Sequence, residues 1–375
     1  MKKVLVLGNK AYYNETMYPH TYEVLKILED HCNLVYFGGD GSDGRGNRIY
    51  RLGIGIPPFF SPRLWPAFLK RLLTGYQRVI KTQNKIKKLV DGVDTIIAID
   101  HYALQFASRY LKENTRLIFW SLDYVPPDRP WEDPKLVKKN RQDIKKCDLI
   151  IIQDINRGAV LDSILFSHNI PKFYLPVSLF ADTFSETEAI KRASSSLHQN
   201  ITLMQLGAIN TDRNCHTIIN AYQKLPGNIS LVMKGSINED IRILIEEAAR
   251  KPDIYPITTT FKEMREYVNW ADIGIIACEI KDINYHFSSM ASGQLVEFLR
   301  LGIPVIVLDM AELGEFVDRN KCGVSISDVS QLESAAQQIA RNYANYSRDA
   351  HRTFRKFFDI ELFRDSLINE IANQP

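Results

Sequence analysis

Ser288-Ser289-Met290-Ala291-Ser292-Gly293-Gln294 is a run of small and polar residues that leads into Leu295-Val296-Glu297-Phe298-Leu299-Arg300 and then Leu301-Gly302-Ile303-Pro304-Val305-Ile306-Val307. The order reads as a loop, a short helix, a Gly-Ile-Pro break and a buried strand. A helix that starts from such a loop points unpaired backbone N–H groups outward, and its dipole favours an anion there. Ser292, Gly293 and Gln294 are the expected backbone donors to a phosphate. Glu297, about one turn inside the helix, has apolar flanks, and its carboxylate can accept hydrogen bonds from ribose hydroxyls. Phosphate at a helix tip with ribose on a nearby carboxylate is how a nucleoside diphosphate is held. A Glu early in a helix also suits the dipole with no ligand, and that plainer reading stands beside the functional one.

Such a segment needs strands to fix it. In the first half, Val4–Leu7, Asn33–Phe37, Thr95–Ile99, Arg116–Trp120 and Leu149–Ile152 are short apolar runs with β-branched content. Helix-length amphipathic segments, Tyr22–Asp30 and Leu104–Lys112, lie between them. This alternation predicts right-handed βαβ units on a parallel sheet. The pattern restarts with strands at Thr202–Leu206, Ser230–Met233, Asp253–Pro256, Ile273–Ala277 and Val305–Leu308. Helices are expected at His216–Lys224, Glu239–Ala249 and Lys262–Trp270, and the closing Tyr346–Ile371 segment is helical and aromatic. The fold class is therefore α/β, with two doubly wound Rossmann-like domains, the hinge falling in Pro171–Ser196. Ligands of open α/β sheets bind outside the carboxyl ends of the strands, so a cleft between two facing sheets is the expected active site.

The segment around Glu297 resembles the donor-binding stretch of GT-B-fold glycosyltransferases, in particular the large group whose retaining members carry two glutamates separated by seven residues. Glu297 matches the second, ribose-binding glutamate. The first, which holds the donor sugar, falls on Ser289, and Gln294 stands where a related variant has Lys. The resemblance implies domains at 1–175 (acceptor binding), 176–350 (nucleotide-sugar binding) and 351–375 (helices returning to the first domain). It also implies a glycine against the diphosphate after the first strand of the second domain. Gly207 occupies that place, and Ala208 replaces the Arg that usually follows. Arg213, six residues on, and Lys234-Gly235 at the end of the next strand are the basic candidates, with surface capping as the alternative for Arg213. His286 and Ser289 are candidates to touch the sugar. Asp100-His101 and Asp123 are the acceptor-side candidates; an inverting transfer needs such a base, whereas in a retaining transfer they would position substrate. Capping of a strand or turn is the plain alternative for each of the three.

Composition bounds the rest. The 375 residues, 45% hydrophobic and 24% charged, suit two globular domains. The apolar run after Met1-Lys2-Lys3 is too short for an export signal and reads as a first strand. Cys32, Cys147, Cys215, Cys278 and Cys322 are scattered, with no C-x-x-C pair, which suits a reduced cytoplasmic protein with neither a disulfide framework nor a zinc site. No metal is called for, because no D-x-D ends a strand, and there is no G-x-G-x-x-G or P-loop. Between Gly44 and Val90 there are eleven Lys or Arg and no Asp or Glu. Leu64, Phe68, Leu72 and Tyr76 trace a helical stripe among them. Residues 45–90 thus resemble an amphipathic helix on an anionic membrane surface, the alternative being a solvated helix packed on its own domain. No nucleic-acid module is present.

The expectation is a cytoplasmic transferase, peripheral at the inner face of the membrane. It moves a sugar from a UDP- or GDP-linked donor to a glycan or lipid-linked acceptor in cell-surface polysaccharide synthesis, with no cofactor. An epimerase or hydrolase on the same fold, or a GT-B scaffold without turnover, are the competing readings.

Overall fold

The computed structural model describes residues 1–9, 18–39, 87, 89–124, 134–181, 187, 200–255, 266–279 and 283–373. Most of the basic stretch 45–90 and residues 262–265 of the expected helix Lys262–Trp270 lie outside the described residues. In chain order the elements are β1 (Lys3–Asn9), α1 (Pro19–Glu29), β2 (Asn33–Gly39), β3 (Thr95–Ile99), α2 (Asp100–Tyr110), β4 (Arg116–Trp120), α3 (Pro134–Asp143), β5 (Leu149–Ile152), α4 (Ile155–Leu165) and β6 (Lys172–Tyr174). They continue with β7 (Ile201–Leu206), α5 (Cys215–Tyr222), β8 (Ile229–Lys234), α6 (Glu239–Glu247), β9 (Asp253–Tyr255), β10 (Ile273–Ala277), α7 (Ile283–His286), α8 (Gly293–Arg300), β11 (Val305–Leu308), α9 (Ala311–Asn320), β12 (Gly323–Ile326), α10 (Leu332–Arg341) and α11 (Tyr343–Phe357).

By their contacts the residues form two compact units. The first is Met1–Ile152 with Gly158–Phe173 and Ser366–Pro375; the second is Gln153–Arg157 with Tyr174–Asp365. The first unit carries a sheet ordered β2-β1-β3-β4-β5-β6, the second a sheet ordered β12-β11-β10-β7-β8-β9. Every pair in the second sheet is parallel. Part of the expected hinge is strand rather than linker, because Lys172–Tyr174 adds to the edge of the first sheet.

Parallel strands covered on both faces must be apolar throughout, which is why these runs are legible. In the second unit Leu203, Leu231, Ile275 and Ile306 enter one core cluster, while Met204, Val232, Ile276, Val305 and Val307 enter another. Alternate residues of one strand point to opposite faces, so the clusters cover the two sides of the sheet. Leu295, Val296, Phe298 and Leu299 all join the second cluster, which fixes α8 to that face. Its end is equally determined. Gly302 is left-handed at φ 66, its N–H reaches Leu299 O at 3.0 Å, and Ile303 N–H reaches Phe298 O at 2.9 Å. That is a Schellman stop, with Ile303 and Phe298 in the same core and Pro304 following.

Gly274 in β10 makes room for this helix: a Cβ there would lie 2.5 Å from the ring of the fully buried Phe298. Gly274→Ala is expected to lower stability by about 1–3 kcal/mol through forced repacking of α8. Urea denaturation reads the loss directly, and an unchanged midpoint would mean that α8 is not seated as described.

Cys32, Cys147, Cys215, Cys278 and Cys322 are buried and outside any disulfide. Among the described residues no helix is long and apolar enough to cross a membrane.

Candidate functional site

The second sheet runs outward in two directions from the adjacent strands β7 and β10. In an open parallel sheet this reversal opens a crevice at the carboxyl ends, because the connections leave to opposite sides. The residues that emerge there are those singled out by the sequence. Gly207 follows β7 with φ 93, and Lys234 and Gly235 close β8. Gly207 N–H donates to Lys234 O at 2.9 Å, which keeps the two exits side by side. Gly235 has to be glycine for a reason that involves no ligand, since a Cβ would sit 1.5 Å from Gly207 O.

The tip of α8 lies on the same edge. Gln294 Nε2 donates to the carbonyl of Leu206, the last residue of β7, and lies 3.3 Å from where a Gly207 Cβ would be. Ser292 is the N-cap: its Oγ accepts from Leu295 N at 3.2 Å, so its hydroxyl serves the helix. Gly293 is exposed with open space around its Cα, and the N–H groups of Gly293 and Gln294 precede the first helical acceptor. The expected backbone donors are thus at the reversal point, above a glycine.

Two cations lie at the neighbouring strand exits. Arg213 ends a single turn, Thr211–Arg213, capped by Asn210 Oδ1, which accepts from Arg213 N at 3.1 Å. Its guanidinium lies 3.5 Å from the Sγ of Cys278, at the exit of β10, and 5.5 Å from the Tyr285 ring centroid. The bond from Glu279 N–H to Asp212 O, 2.9 Å, ties this turn to the β10 exit. Lys234 is only 5% exposed, and its Nζ lies 3.8 Å from the centroid of the Tyr267 ring. Burial of an ammonium is costly, and the ring face offsets part of that cost. Tyr267 and Tyr285 carried no chemical signal in the sequence, since each reads there as one more core aromatic.

Glu297 is buried at 5% exposure, and its Oε2 accepts from Arg300 Nη2 at 2.6 Å, with Arg300 itself 2% exposed. It is the fifth residue of α8, past the first turn, so the helix dipole does not account for a glutamate here. The spacing of three made Arg300 a visible partner in the sequence. Ser289, in place of the expected sugar-binding glutamate, is 4% exposed and donates its hydroxyl to Glu312 of α9. His286, the last residue of α7, is exposed.

In the first unit the order reverses between β1 and β3, and Asp100-His101 follows β3 directly. Asp100 sits at φ 66, unusual for a residue with a side chain, and its Oδ1 accepts from Leu122 N at 3.1 Å. His101 Nε2 lies 3.0 Å from the carbonyl oxygen of Asp123, so this nitrogen carries the proton. The bare Nδ1 is buried with no hydrogen-bond partner among the described residues. Burial lowers the His101 pKa to about 4, against the opposing bond to Asp123, so the ring is neutral at physiological pH. Asp123 has an exposed side chain. Tyr18, just before α1, joins this group: burial first, then the charges of Asp123 and Asp100, raise its pKa to about 12. The sequence did not reveal Tyr18, because its closeness to the two aspartates depends on the fold. All four residues lie at the carboxyl edge of the first sheet.

No protein-family model matches the sequence, and no curated protein has significant sequence similarity to it. Solved structures do match, over the whole chain. HepE of Anabaena, in complex with UDP and glucose, aligns with TM-score 0.70 at 12% identity, covering 100% of both chains. A sucrose-phosphate synthase of Thermosynechococcus elongatus aligns at 0.68 and 11% identity, covering 100% of this chain and 99% of that one. OtsA, a trehalose-6-phosphate synthase, aligns at 0.63 and 15%, with the same coverage. Together with the two six-stranded sheets, these likenesses establish a two-domain, Rossmann-like GT-B fold.

Proposed function

We propose that this GT-B chain is a glycosyltransferase that moves a hexose from a nucleoside-diphosphate donor, UDP- or GDP-linked, to a hydroxyl of a glycan or lipid-linked acceptor. One observation carries the reading. The tip of α8 stands over Gly207 at the reversal point of the second sheet, with Lys234 and Arg213 at neighbouring strand ends. Helix N–H groups and two cations are what a leaving pyrophosphate requires, since negative charge grows on it as the glycosidic bond breaks. The UDP and glucose bound by HepE support the same class of substrate.

Gly207, Gly235, Ser292, Gly293 and Gln294 form the phosphate bed in this reading. Glu297 takes the ribose, with Arg300 fixing its rotamer, and the exposed His286 faces the sugar, whereas the Ser289 hydroxyl is turned to Glu312. On the acceptor side the roles divide by exposure. The buried, neutral His101 ring positions the Asp123 loop through Nε2 and the Asp123 carbonyl, and the Asp123 side chain is the exposed one. Asp123 and Asp100 are then the bases of an inverting transfer or the positioning groups of a retaining one. The acid-free, aromatic sequence 45–90 supports a lipid-linked or surface-bound acceptor, synthesis of cell-surface polysaccharide, and attachment to the inner face of a membrane.

Calorimetric titration with UDP-, GDP- and CMP-sugars, followed by turnover across an acceptor panel, tests the assignment. Saturable binding of one donor class with sugar transfer supports it; no binding to any would end it. A GT-B scaffold without turnover is favoured by the ion pairing of Glu297 and by Ser289. Binding with no transfer or hydrolysis would select that reading, and release of free or epimerised sugar would select the epimerase or hydrolase.

A further inference from the structure

We infer that Glu312 and Arg157 are positioning residues of the donor site, gripping the backbone of residues 284–289 so that α8 starts with its tip over Gly207. The inference rests on the donor reading above. The segment between α7 and α8 satisfies only part of its own backbone, with the Ser288 hydroxyl donating to Tyr285 O at 3.2 Å and Ala291 N to Ser288 O at 3.0 Å. Helix α7 is four residues long and ends in carbonyls that need donors, and the next amides need acceptors. Two charged side chains from distant positions meet these needs, each with the sign the dipoles require.

Arg157 is 1% exposed and belongs to the second unit. Its Nη1 donates to Asn284 O at 3.2 Å and Phe287 O at 3.0 Å, while Nε donates to Gln153 Oε1 at 2.6 Å. A guanidinium on carbonyls at the end of a helical turn is electrostatically favourable. Glu312, in the first turn of α9, does the converse. Its Oε2 accepts from Ser288 N at 3.2 Å and Ser289 N at 3.0 Å, and its Oε1 accepts from the Ser289 hydroxyl. Ser288 and Ser289 are 5% and 4% exposed, so without that carboxylate their amides would be buried and unpaired. The cation holds the carbonyls and the anion holds the amides that follow at once in sequence. Three residues later the chain reaches the cap Ser292. The serine at 289 thus becomes intelligible: its hydroxyl is a third anchor for Glu312.

The test uses the full chain and two readouts. Hydrogen exchange of the nucleotide-free protein is expected to show the Ser288 and Ser289 amides exchanging on the order of 100-fold faster in Glu312→Ala, with β7 and β10 unchanged. In the same variant the donor KM should rise about tenfold or more, with the acceptor KM unmoved. Glu312→Gln keeps an acceptor for the two amides and loses only the charge, so it should fall between Ala and wild type. Arg157→Lys keeps the charge and loses the fork, and should also raise the donor KM. Amide exchange within twofold of wild type in Glu312→Ala would overturn the inference, as would an unchanged donor KM in an active enzyme. If the wild type binds no nucleotide sugar, the proposed function falls, and the exchange experiment still decides whether Glu312 holds the loop.

Discussion

Glu297→Ala is expected to lose about 3–5 kcal/mol of folding stability and to bind UDP-sugar at least 100-fold more weakly, and only the second loss concerns function. The stability loss follows from Arg300, which is 2% exposed and would keep its charge with its carboxylate partner gone. A failed binding assay on this variant would therefore prove little by itself. The double variant Glu297→Met/Arg300→Met separates the two effects. Replacing both members of a buried pair with apolar side chains of similar length is close to neutral for stability, because two desolvation costs vanish with the attraction. We expect the double variant to melt near wild type and still to bind UDP about 100-fold more weakly. We also expect it to ignore the loss of the 2′-hydroxyl in 2′-deoxy-UDP, a loss the wild type should register. A stable double variant with wild-type affinity would remove Glu297 from the site and leave it as a core ion pair.

What could be read from the sequence followed burial. Strands β3, β4, β5, β10 and β11 are uninterrupted apolar runs because both faces of a parallel sheet are covered, and their limits match the expected ones. Two of the four edge strands, β6 and β12, were missed for the complementary reason. In β6 no residue is buried, and in β12 the two middle residues are only half-buried, so Lys172–Tyr174 and Gly323–Ile326 carry too little apolar signal to stand out from a loop. The start of α1 was set three residues late at Tyr22, although Pro19 at the first helical turn was a readable signal.

In the site, the sequence exposed what is local. A glycine after a strand and a lysine at a strand end are consequences of near neighbours, and Gly207 and Lys234 lie where that reasoning put them; Ser292, read as a backbone donor, also caps α8 with its hydroxyl. Contacts across long separations were hidden. Ser289 meets a carboxylate 23 residues away, and Arg157 meets carbonyls 127 and 130 residues away. No periodicity encodes such pairings. Gly235 stood in the sequence as the neighbour of a basic candidate, whereas the carbonyl of Gly207 is what excludes a side chain there. The glycine was legible and its reason was not.

Lys234→Met and Arg213→Met should each weaken UDP by roughly 10–150-fold and leave uridine almost unaffected, because a charge-assisted contact to phosphate contributes about 1.5–3 kcal/mol and the nucleoside has no phosphate. Methionine keeps most of the stem and removes the charge. Lys234 is buried, with its Nζ against the Tyr267 ring, and the stem of methionine fills much of the same space. A merely structural lysine would leave UDP binding intact. The two losses should add in the double variant if each cation meets a different phosphoryl oxygen, and the salt dependence of UDP binding should flatten in step. Equal weakening of UDP and uridine would instead mean that these side chains shape the nucleoside pocket, and the pyrophosphate would have to be held elsewhere than at the tip of α8.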